Sequence, residues 1–141
     1  MPTVRQAQLW ALEDFFEDYA DLMEMGETKQ DALRRLNVSQ ESAEKRFKKA
    51  GRYIPERKNW ATYVAIWELL HRGKPWTIND IPLAFGTGED IATCLMACET
   101  AKYIKSTGKV SDIRALDRKV STYGRGSVDM PSLGSVFRLR G

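Results

Sequence analysis

Side chains that could carry out acid–base, nucleophilic or metal chemistry are few in this sequence. His71 is the single histidine, and its place near the end of a predicted helix is more typical of a surface residue than of a general base. Cys94 and Cys98 lie one helical turn apart, but a zinc site needs four ligands and the sequence has no third cysteine to help complete it. The Gly-Thr-Gly sequence at 86–88 lacks the Lys-Ser/Thr pair of a phosphate-binding loop. We therefore expect no enzyme, no metal site and no cofactor.

Charged residues are distributed unevenly along the chain, and this asymmetry indicates the kind of partner. The 141 residues include 22 Lys and Arg against 19 Asp and Glu, a net charge of +3. Residues 1–28 hold one basic and seven acidic side chains, whereas residues 45–58 hold seven basic and one acidic. Such a basic concentration is typical of a surface that meets a polyanion, although an ordinary solvated face can have the same charge.

Length and composition favour a small globular protein. Hydrophobic residues make up 43% of the chain and charged residues 29%, which excludes global disorder and collagen-like repeats. The longest apolar stretches without charge, at 59–67 and 91–98, are far shorter than the roughly 20 residues of a membrane span. The acidic first 28 residues do not resemble a secretory leader. We expect a soluble cytoplasmic protein that makes no membrane contact.

Three helices are predicted in the first third of the chain. The first is amphipathic over residues 6–25, with apolar residues at spacings of three and four. These apolar residues are Leu9, Leu12, Phe16, Tyr19 and Leu22. A Thr-x-x-Asp pattern at Thr28 starts a short second helix. Asn37 suits a left-handed turn, and Ser39 suits the cap of a third helix that stops at Gly51.

The segment from Ala32 to Phe47 resembles a helix-turn-helix DNA-binding motif. In that family a leucine, a small turn residue, a valine and a serine lead into the recognition helix, as they do here from Leu36 to Ser39. Asn37 takes the place of the usual glycine. The resemblance implies that the third helix enters a DNA groove. The alternative is a plain corner between two helices, without a nucleic-acid partner.

The helix-turn-helix resemblance also implies residue roles. Gln40 and Lys45 would read base edges, because Gln can pair with adenine and Lys with guanine. Glu44 is a candidate acceptor for cytosine, with pairing inside the helix as the alternative interpretation. Contacts to the phosphate backbone are implied for polar and basic neighbours on the third helix and on a basic linker over residues 52–58. These neighbours are Ser39, Lys48, Lys49, Arg52, Arg57 and Lys58.

A second unit is predicted over residues 59–141. Asn59 suits the cap of a helix that is apolar on most of its circumference and therefore largely buried. The apolar residues of this helix are Trp60, Tyr63, Val64, Ile66, Trp67 and Leu70. A Thr-x-x-Asp pattern at Thr77 predicts a short helix through Ala84. Its inward-facing residues are expected to be Ile78, Ile81 and Leu83.

The next predicted elements are a helix over residues 89–101, a strand over 103–105 and a turn over 106–109. In this order the elements resemble a winged helix-turn-helix domain, which implies that the 89–101 helix reads a groove. Its positions outside the apolar stripe carry Glu89 and Asp90 and no Arg, Lys, Asn or Gln. That chemistry favours a protein contact or shape recognition for this helix.

Phosphate contacts by the second unit are expected from its strand and loop residues instead. Apolar residues at spacings of three, four and three predict a short helix over 112–123, and a returning strand is predicted at 136–140. The apolar residues in question are Ile113, Leu116, Val120 and Tyr123. The Gly-Arg-Gly sequence at 124–126 predicts either a basic arm for a minor groove or an ordinary exposed loop. The basic residues expected at phosphates are Lys105, Lys109, Arg114, Arg118, Lys119 and Arg125.

The sequence thus predicts a mainly α-helical protein with two tandem modules. Residues 1–51 form the helix-turn-helix module, 52–58 the linker, and 59–141 the winged helix-like module with a small β hairpin. The expected function is sequence-specific binding of double-stranded DNA, as a nucleoid-associated transcriptional regulator of the phage or mobile-element repressor or accessory type. The alternative is a protein-interaction or assembly module, such as a phage packaging or adaptor component, with its partner on the acidic first helix or the 89–100 helix. The oligomeric state stays open.

Overall fold

A computed structural model describes residues 3–137 of the chain, apart from the side chains of residues 4–10 and 116. The helices in this range are α1 (Val4–Glu24), α2 (Lys29–Leu36), α3 (Gln40–Ala50), α4 (Trp60–His71), α5 (Gly88–Thr100) and α6 (Leu133–Val136). The strands β1 (Ile104–Asp112) and β2 (Ala115–Arg125) form an antiparallel hairpin. The prediction of a mainly helical chain with a small hairpin is confirmed. The predicted inward positions of Leu9 and Leu116 and the predicted strand residues 138–140 lie outside the described residues.

Local sequence signals set the ends of α2 and α3. The Oγ1 atom of Thr28 accepts a hydrogen bond from the backbone N–H of Asp31 at 3.1 Å, which caps α2. The Oγ atom of Ser39 caps α3 in the same way. Between the two helices Asn37 has a φ of 55°, a left-handed conformation that its short polar side chain tolerates. These turn and cap predictions are confirmed.

Buried apolar side chains from all the helices named above and from the base of the hairpin belong to one cluster. In its first half, Phe16 and Tyr19 of α1 contact Phe47 of α3, with ring centroids 5.6 and 5.1 Å apart. In its second half, Ile66 of α4 and Ile91 of α5 are fully or almost fully buried. The cluster therefore includes residues from both predicted modules, and the boundary between those modules stays a prediction.

The start of α4 and the segment before α5 differ from the sequence prediction. Asn59 ends a 3₁₀ turn that begins at Arg57, and its buried side chain makes no cap hydrogen bond within the described chain. Thr77 does form its predicted capping box with Asp80, but two separate 3₁₀ turns, Ile78–Asp80 and Leu83–Phe85, follow it in place of one helix, because Pro82 lacks the N–H that a continued helix requires. Two residues predicted to face inward are exposed: Leu83 by 60% and Val64 by 36%.

The predicted helix over 112–123 and the predicted turn over 106–109 are wrong. Residues 104–112 form one strand, and Val110 lies directly opposite Val120 of β2. The chain reverses at residues 113–114 instead. The apolar spacing of this segment fits a helix, but its β-branched and aromatic residues pair well across two strands. The returning strand is therefore β2, whereas Val136 is the buried last residue of α6.

Candidate nucleic-acid interface

The exposed face of α3 carries most of the residues predicted to contact DNA. The helix buries Ala43 in the core and packs Phe47 against aromatic rings of α1, which leaves its opposite face exposed. The Oγ atom of Ser39 is engaged at the N-terminus of α3, where it accepts the N–H of Ser42 at 3.1 Å. The exposed predicted residues on the helix are Gln40, Glu44, Lys45, Lys48 and Lys49.

The two predicted base readers make contacts inside α3. Gln40 donates from Nε2 to Oε1 of Glu44 at 3.2 Å, and Lys45 Nζ lies 3.4 Å from Oε1 of Glu41. Glu44 is also 3.8 Å from Nζ of Lys29 on α2. Ion pairs at such exposed positions contribute at most about 1 kcal/mol, so a nucleic acid can displace them at small cost. The contact of Glu44 with Gln40 lies within α3, which fits the second of the two interpretations given above for Glu44.

Lys48 and Lys49 are the cations of α3 that are available to contact DNA phosphates. Within the part of the chain that the structure describes, neither has a carboxylate within ion-pair distance. Both lie in the last turn of α3 and are exposed. A surface lysine without a carboxylate partner can neutralise a phosphate without first losing an ion pair.

Arg52 and Arg57 lie against aromatic rings. The guanidinium carbon of Arg52 is 5.1 Å from the ring centroid of Phe16. That of Arg57 is 5.2 Å from the ring of Trp60, and its Nη2 donates to the backbone carbonyl of Glu24 at 2.6 Å. Arg57 therefore satisfies a carbonyl at the C-terminus of α1, where helices leave such groups unpaired. Its contacts are structural, and Arg52 keeps its charge at the surface.

Lys58 forms an ion pair with α5, so its charge is already engaged and is not free to contact a phosphate. Its Nζ lies 3.3 Å from Oδ1 of Asp90, in the first turn of α5. Hydrogen bonds from Lys58 and from Thr87 hold the pKa of the Asp90 carboxyl below its ordinary value. Both Arg57 and Lys58 were predicted to meet DNA, but in this structure they connect the 52–58 segment to helices on either side.

The hairpin presents the basic residues of the second unit. Lys105 and Lys109 are exposed on β1. The register pairs Lys109 with Ser121 and Ser111 with Lys119. Lys109 of β1 and Lys119 of β2 are therefore diagonal neighbours on one face of the hairpin. Arg118 and Arg114 are also exposed, the latter in the turn. The hairpin therefore concentrates positive charge on a two-stranded ribbon.

Contacts with the body of the protein hold the hairpin at both ends. At its turn Asp112, only 6% exposed, accepts hydrogen bonds from the N–H of Arg114 at 2.8 Å and from Nδ2 of Asn79 at 2.7 Å. These two bonds hold the pKa of the Asp112 carboxyl below its ordinary value. At the base of the hairpin, Trp76 pairs with Tyr123 through two backbone hydrogen bonds. The basic ribbon is therefore fixed in position.

Arg125 is the last residue of β2 and lies opposite Ile104. The predicted flexible arm at 124–126 is therefore not a free loop. The next residue, Gly126, donates its N–H to the carbonyl of Tyr103 at 2.9 Å and packs against the backbone of Lys102, where a Cβ would collide. Arg125 is exposed and keeps its charge at the surface, next to the hairpin.

A cleft of about 570 Å³ separates α3 from α5. Glu41, Lys45 and Lys48 of α3 line one wall of it, and Thr93 and Met96 of α5 line the other. Of the α5 residues outside its buried stripe, Thr93 and Met96 line this cleft, whereas Asp90 pairs with Lys58. Its aromatic and buried polar residues were not predicted to form a site, because they come from segments far apart in sequence.

Buried polar groups lie at the floor of the cleft. Asn59 is 5% exposed and lines the cleft, and its Oδ1 has no hydrogen-bond partner among the described residues. Burial raises the pKa of the Tyr53 hydroxyl well above its ordinary value, an effect that the nearby Cys94 thiol strengthens and the Asn59 side chain opposes. Burial likewise raises the pKa of Tyr19, helped by the carboxylate of Glu56.

Other site types receive little support from the described residues. Across residues 3–137, no three His, Cys, Asp or Glu side chains come together as metal ligands. Cys94 and Cys98 are both buried and unoxidised. None of the helices in the described range has the length and apolarity to cross a bilayer. Comparisons of the chain with protein-family models, with curated proteins and with solved structures find no match.

Proposed function

We propose that this protein binds double-stranded DNA in a sequence-specific manner, with α3 as the recognition helix. One observation carries the proposal: a Ser39-capped helix follows a left-handed turn at Asn37 and presents an exposed polar face. This face ends in two lysines that have no carboxylate partner among the described residues. In the helix-turn-helix family the first residues of such a helix meet base edges and its surroundings meet phosphates. Gln40 and Lys45 are then the base readers, and Lys48, Lys49 and Arg52 the phosphate contacts.

The second unit supports the same proposal through its hairpin. The order of α4, the residue Trp76 paired to β2, two 3₁₀ turns, α5 and the hairpin agrees with a winged helix-turn-helix arrangement. In such an arrangement the hairpin is a wing that lies along the phosphate backbone or a groove. Lys105, Lys109 and Lys119 supply the charge for this contact, while α5 faces the cleft and stands off from the DNA.

Regulation of transcription is the purpose that best suits a small protein with two DNA-contacting surfaces. A repressor or accessory factor of a phage or mobile element would act in the cytoplasm at the nucleoid. Two surfaces on one chain raise the effective concentration of the second contact once the first has formed. This allows an asymmetric site to be read by a single chain.

A protein-interaction or assembly role is the second candidate, and the acidic surface of α1 favours it. Glu13, Asp14 and Glu24 are exposed on this helix, and residues 1–28 carry a net charge of −6. A basic partner protein would be steered to such a surface, whereas DNA would be repelled by it. In this case the basic residues of α3 and the hairpin need not contact anything.

Selection from a random duplex pool tests sequence-specific binding directly. The full chain is incubated with the pool, bound duplexes are recovered over several rounds, and the enriched sequences are compared. The proposal predicts a shared short sequence that the protein binds at least about a thousandfold more tightly than random duplex at physiological salt. Recovery of unrelated sequences would leave only nonspecific binding, and the absence of any recovered duplex would favour the protein-interaction role.

A further inference from the structure

We infer that the cleft between α3 and α5 is a binding site for a small amphipathic organic anion, with an apolar or aromatic body and one acidic group. The inference stands on the shape, the lining and the charge of the cleft. The effect of an occupied cleft on DNA binding rests on the proposed function. The binding of the small molecule itself does not depend on that function.

The cleft has the size and lining of a small-molecule site. Its volume of about 570 Å³ falls within the range of roughly 300–1,000 Å³ that such sites occupy. Apolar atoms form most of its surface, and the aromatic and aliphatic side chains that line it are Tyr19, Phe47, Tyr53, Ile54, Met96 and Ala97. Met96 lines the cleft and is 67% exposed. An apolar occupant would cover it.

The charge at the rim selects an anion. Seven charged residues line the cleft, and four of them form the two exposed ion pairs between Lys29 and Glu44 and between Lys45 and Glu41. The remaining three are Lys48, Arg52 and Glu56, and they leave one excess positive charge. Glu56 faces Tyr19, whose pKa it helps to raise. Lys48 and Arg52 are therefore the groups that a carboxylate or sulfonate on the occupant would meet.

Occupancy of the cleft has a consequence for α3. Lys45 and Lys48 line the cleft and are also proposed DNA contacts. A bound anion that engages Lys48 removes a cation from the phosphate contact and adds negative charge beside α3. Because linkage is reciprocal, DNA must lower the affinity of the anion by the same factor. The cleft would thus let a small molecule release the protein from DNA.

Anilinonaphthalene sulfonate is a suitable probe, since it combines an aromatic body with one sulfonate. Titrated into the folded full chain, it should bind with one-to-one stoichiometry and a rise in fluorescence. Ala97→Trp fills the cleft and should weaken this binding by at least about tenfold. Ala61→Trp, the same substitution at an exposed position of α4 outside the cleft, should leave it unchanged.

A second variant avoids any dependence on folding of Ala97→Trp. Met96 is exposed, so Met96→Glu should fold normally, remove an apolar wall and repel the sulfonate. Circular dichroism at the titration temperature checks that each variant is folded, because the probe also binds loosely packed states. Binding at several equivalent sites, or equal affinity in the wild type, Ala97→Trp and Met96→Glu, would overturn the inference.

Duplex binding measured on the same samples separates this inference from the proposed function. The probe should weaken binding of the selected duplex to the wild type and have no effect on Ala97→Trp. Probe binding at the cleft without any duplex binding would uphold the small-molecule site and contradict the DNA proposal. Duplex binding, together with a probe affinity that is the same in the wild type and in both cleft variants, would uphold the DNA proposal and contradict the small-molecule site.

Discussion

Nδ2 of Asn79 donates a hydrogen bond to Oδ1 of Asp112 at 2.7 Å, and this contact fixes the hairpin turn against the 3₁₀ turn Ile78–Asp80. The same carboxylate oxygen accepts the N–H of Arg114 within the turn. Together with the pairing of Trp76 and Tyr123 at the other end, the contact holds the basic ribbon as a fixed surface. A fixed charged surface loses less conformational entropy on binding than a mobile arm does.

Asp112 should make the stability of the protein depend on acidic pH. Its folded pKa lies below its unfolded value, so its contribution to stability is complete above the unfolded pKa of about 3.9 and is lost as the pH falls through the folded pKa. Asp112→Asn should therefore unfold at a lower temperature than the wild type at neutral pH, and the difference should shrink below about pH 4. Thermal unfolding followed by circular dichroism across this range measures both. A constant difference at all pH values would show that the charge is not responsible.

Substitutions in α3 and at Arg52, two residues beyond its end, should separate base readers from phosphate contacts. Gln40→Ala or Lys45→Ala should lower discrimination between the selected duplex and random duplex by about 1–3 kcal/mol. Lys49→Ala or Arg52→Ala should weaken binding to both duplexes alike and flatten the salt dependence by about one unit. Fluorescence anisotropy on labelled duplexes reports both quantities. Identical behaviour of all four variants would mean that α3 does not read sequence.

The hairpin should contribute affinity and α5 should not contribute specificity. Replacing Lys105, Lys109 and Arg125 together by Gln should weaken duplex binding and reduce the salt slope by about two to three units. Thr93→Ala should change neither affinity nor specificity, because its side chain faces the cleft. Lys74→Gln, at an exposed position between α4 and Trp76, controls for the loss of one positive charge elsewhere on the surface. Loss of specificity in Thr93→Ala would place α5 in the groove after all.

The aromatic contact between α1 and α3 should be essential for stability. Phe16 is 2% exposed and contacts Phe47, so Phe16→Ala should lower the free energy of unfolding by about 3–5 kcal/mol. Leu83→Ala, at a residue that is 60% exposed, should change it by less than about 0.5 kcal/mol. Urea denaturation at equilibrium measures both variants. Similar losses would contradict the packing described for α1 and α3.

Features set by neighbouring residues could be predicted from the sequence, and features set by distant pairing could not. Thr28, Asn37 and Ser39 determine their turns and caps through contacts within three residues, and the structure has each one as predicted. Val110 and Val120 instead stabilise strands by pairing with each other, whereas a spacing of apolar residues near 3.6 on one strand alone predicts a helix. The same limit applies to the cleft, whose Asn59 and Met96 come from separate segments.

Residue roles at the candidate interface show a similar division. The exposure of Lys48 and Lys49 follows from their positions opposite Ala43 and Phe47 on one helix, which the helical period predicts. The contacts of Arg57 to the α1 carbonyl and of Lys58 to Asp90 depend on tertiary packing. A run of basic residues therefore predicted a surface charge but not which of its members are already engaged.

The salt dependence of duplex binding tests most directly whether α3 contacts the DNA backbone. The dissociation constant for the selected duplex is measured between low and physiological salt for the wild type, for Lys48→Ala/Lys49→Ala and for the control Lys74→Ala. Each phosphate contact contributes about −0.9 to the slope of log affinity against log salt, so the double variant should lose about two units of slope and the control none. A wild-type affinity that does not change with salt, or a double variant with the wild-type slope, would contradict DNA binding by α3.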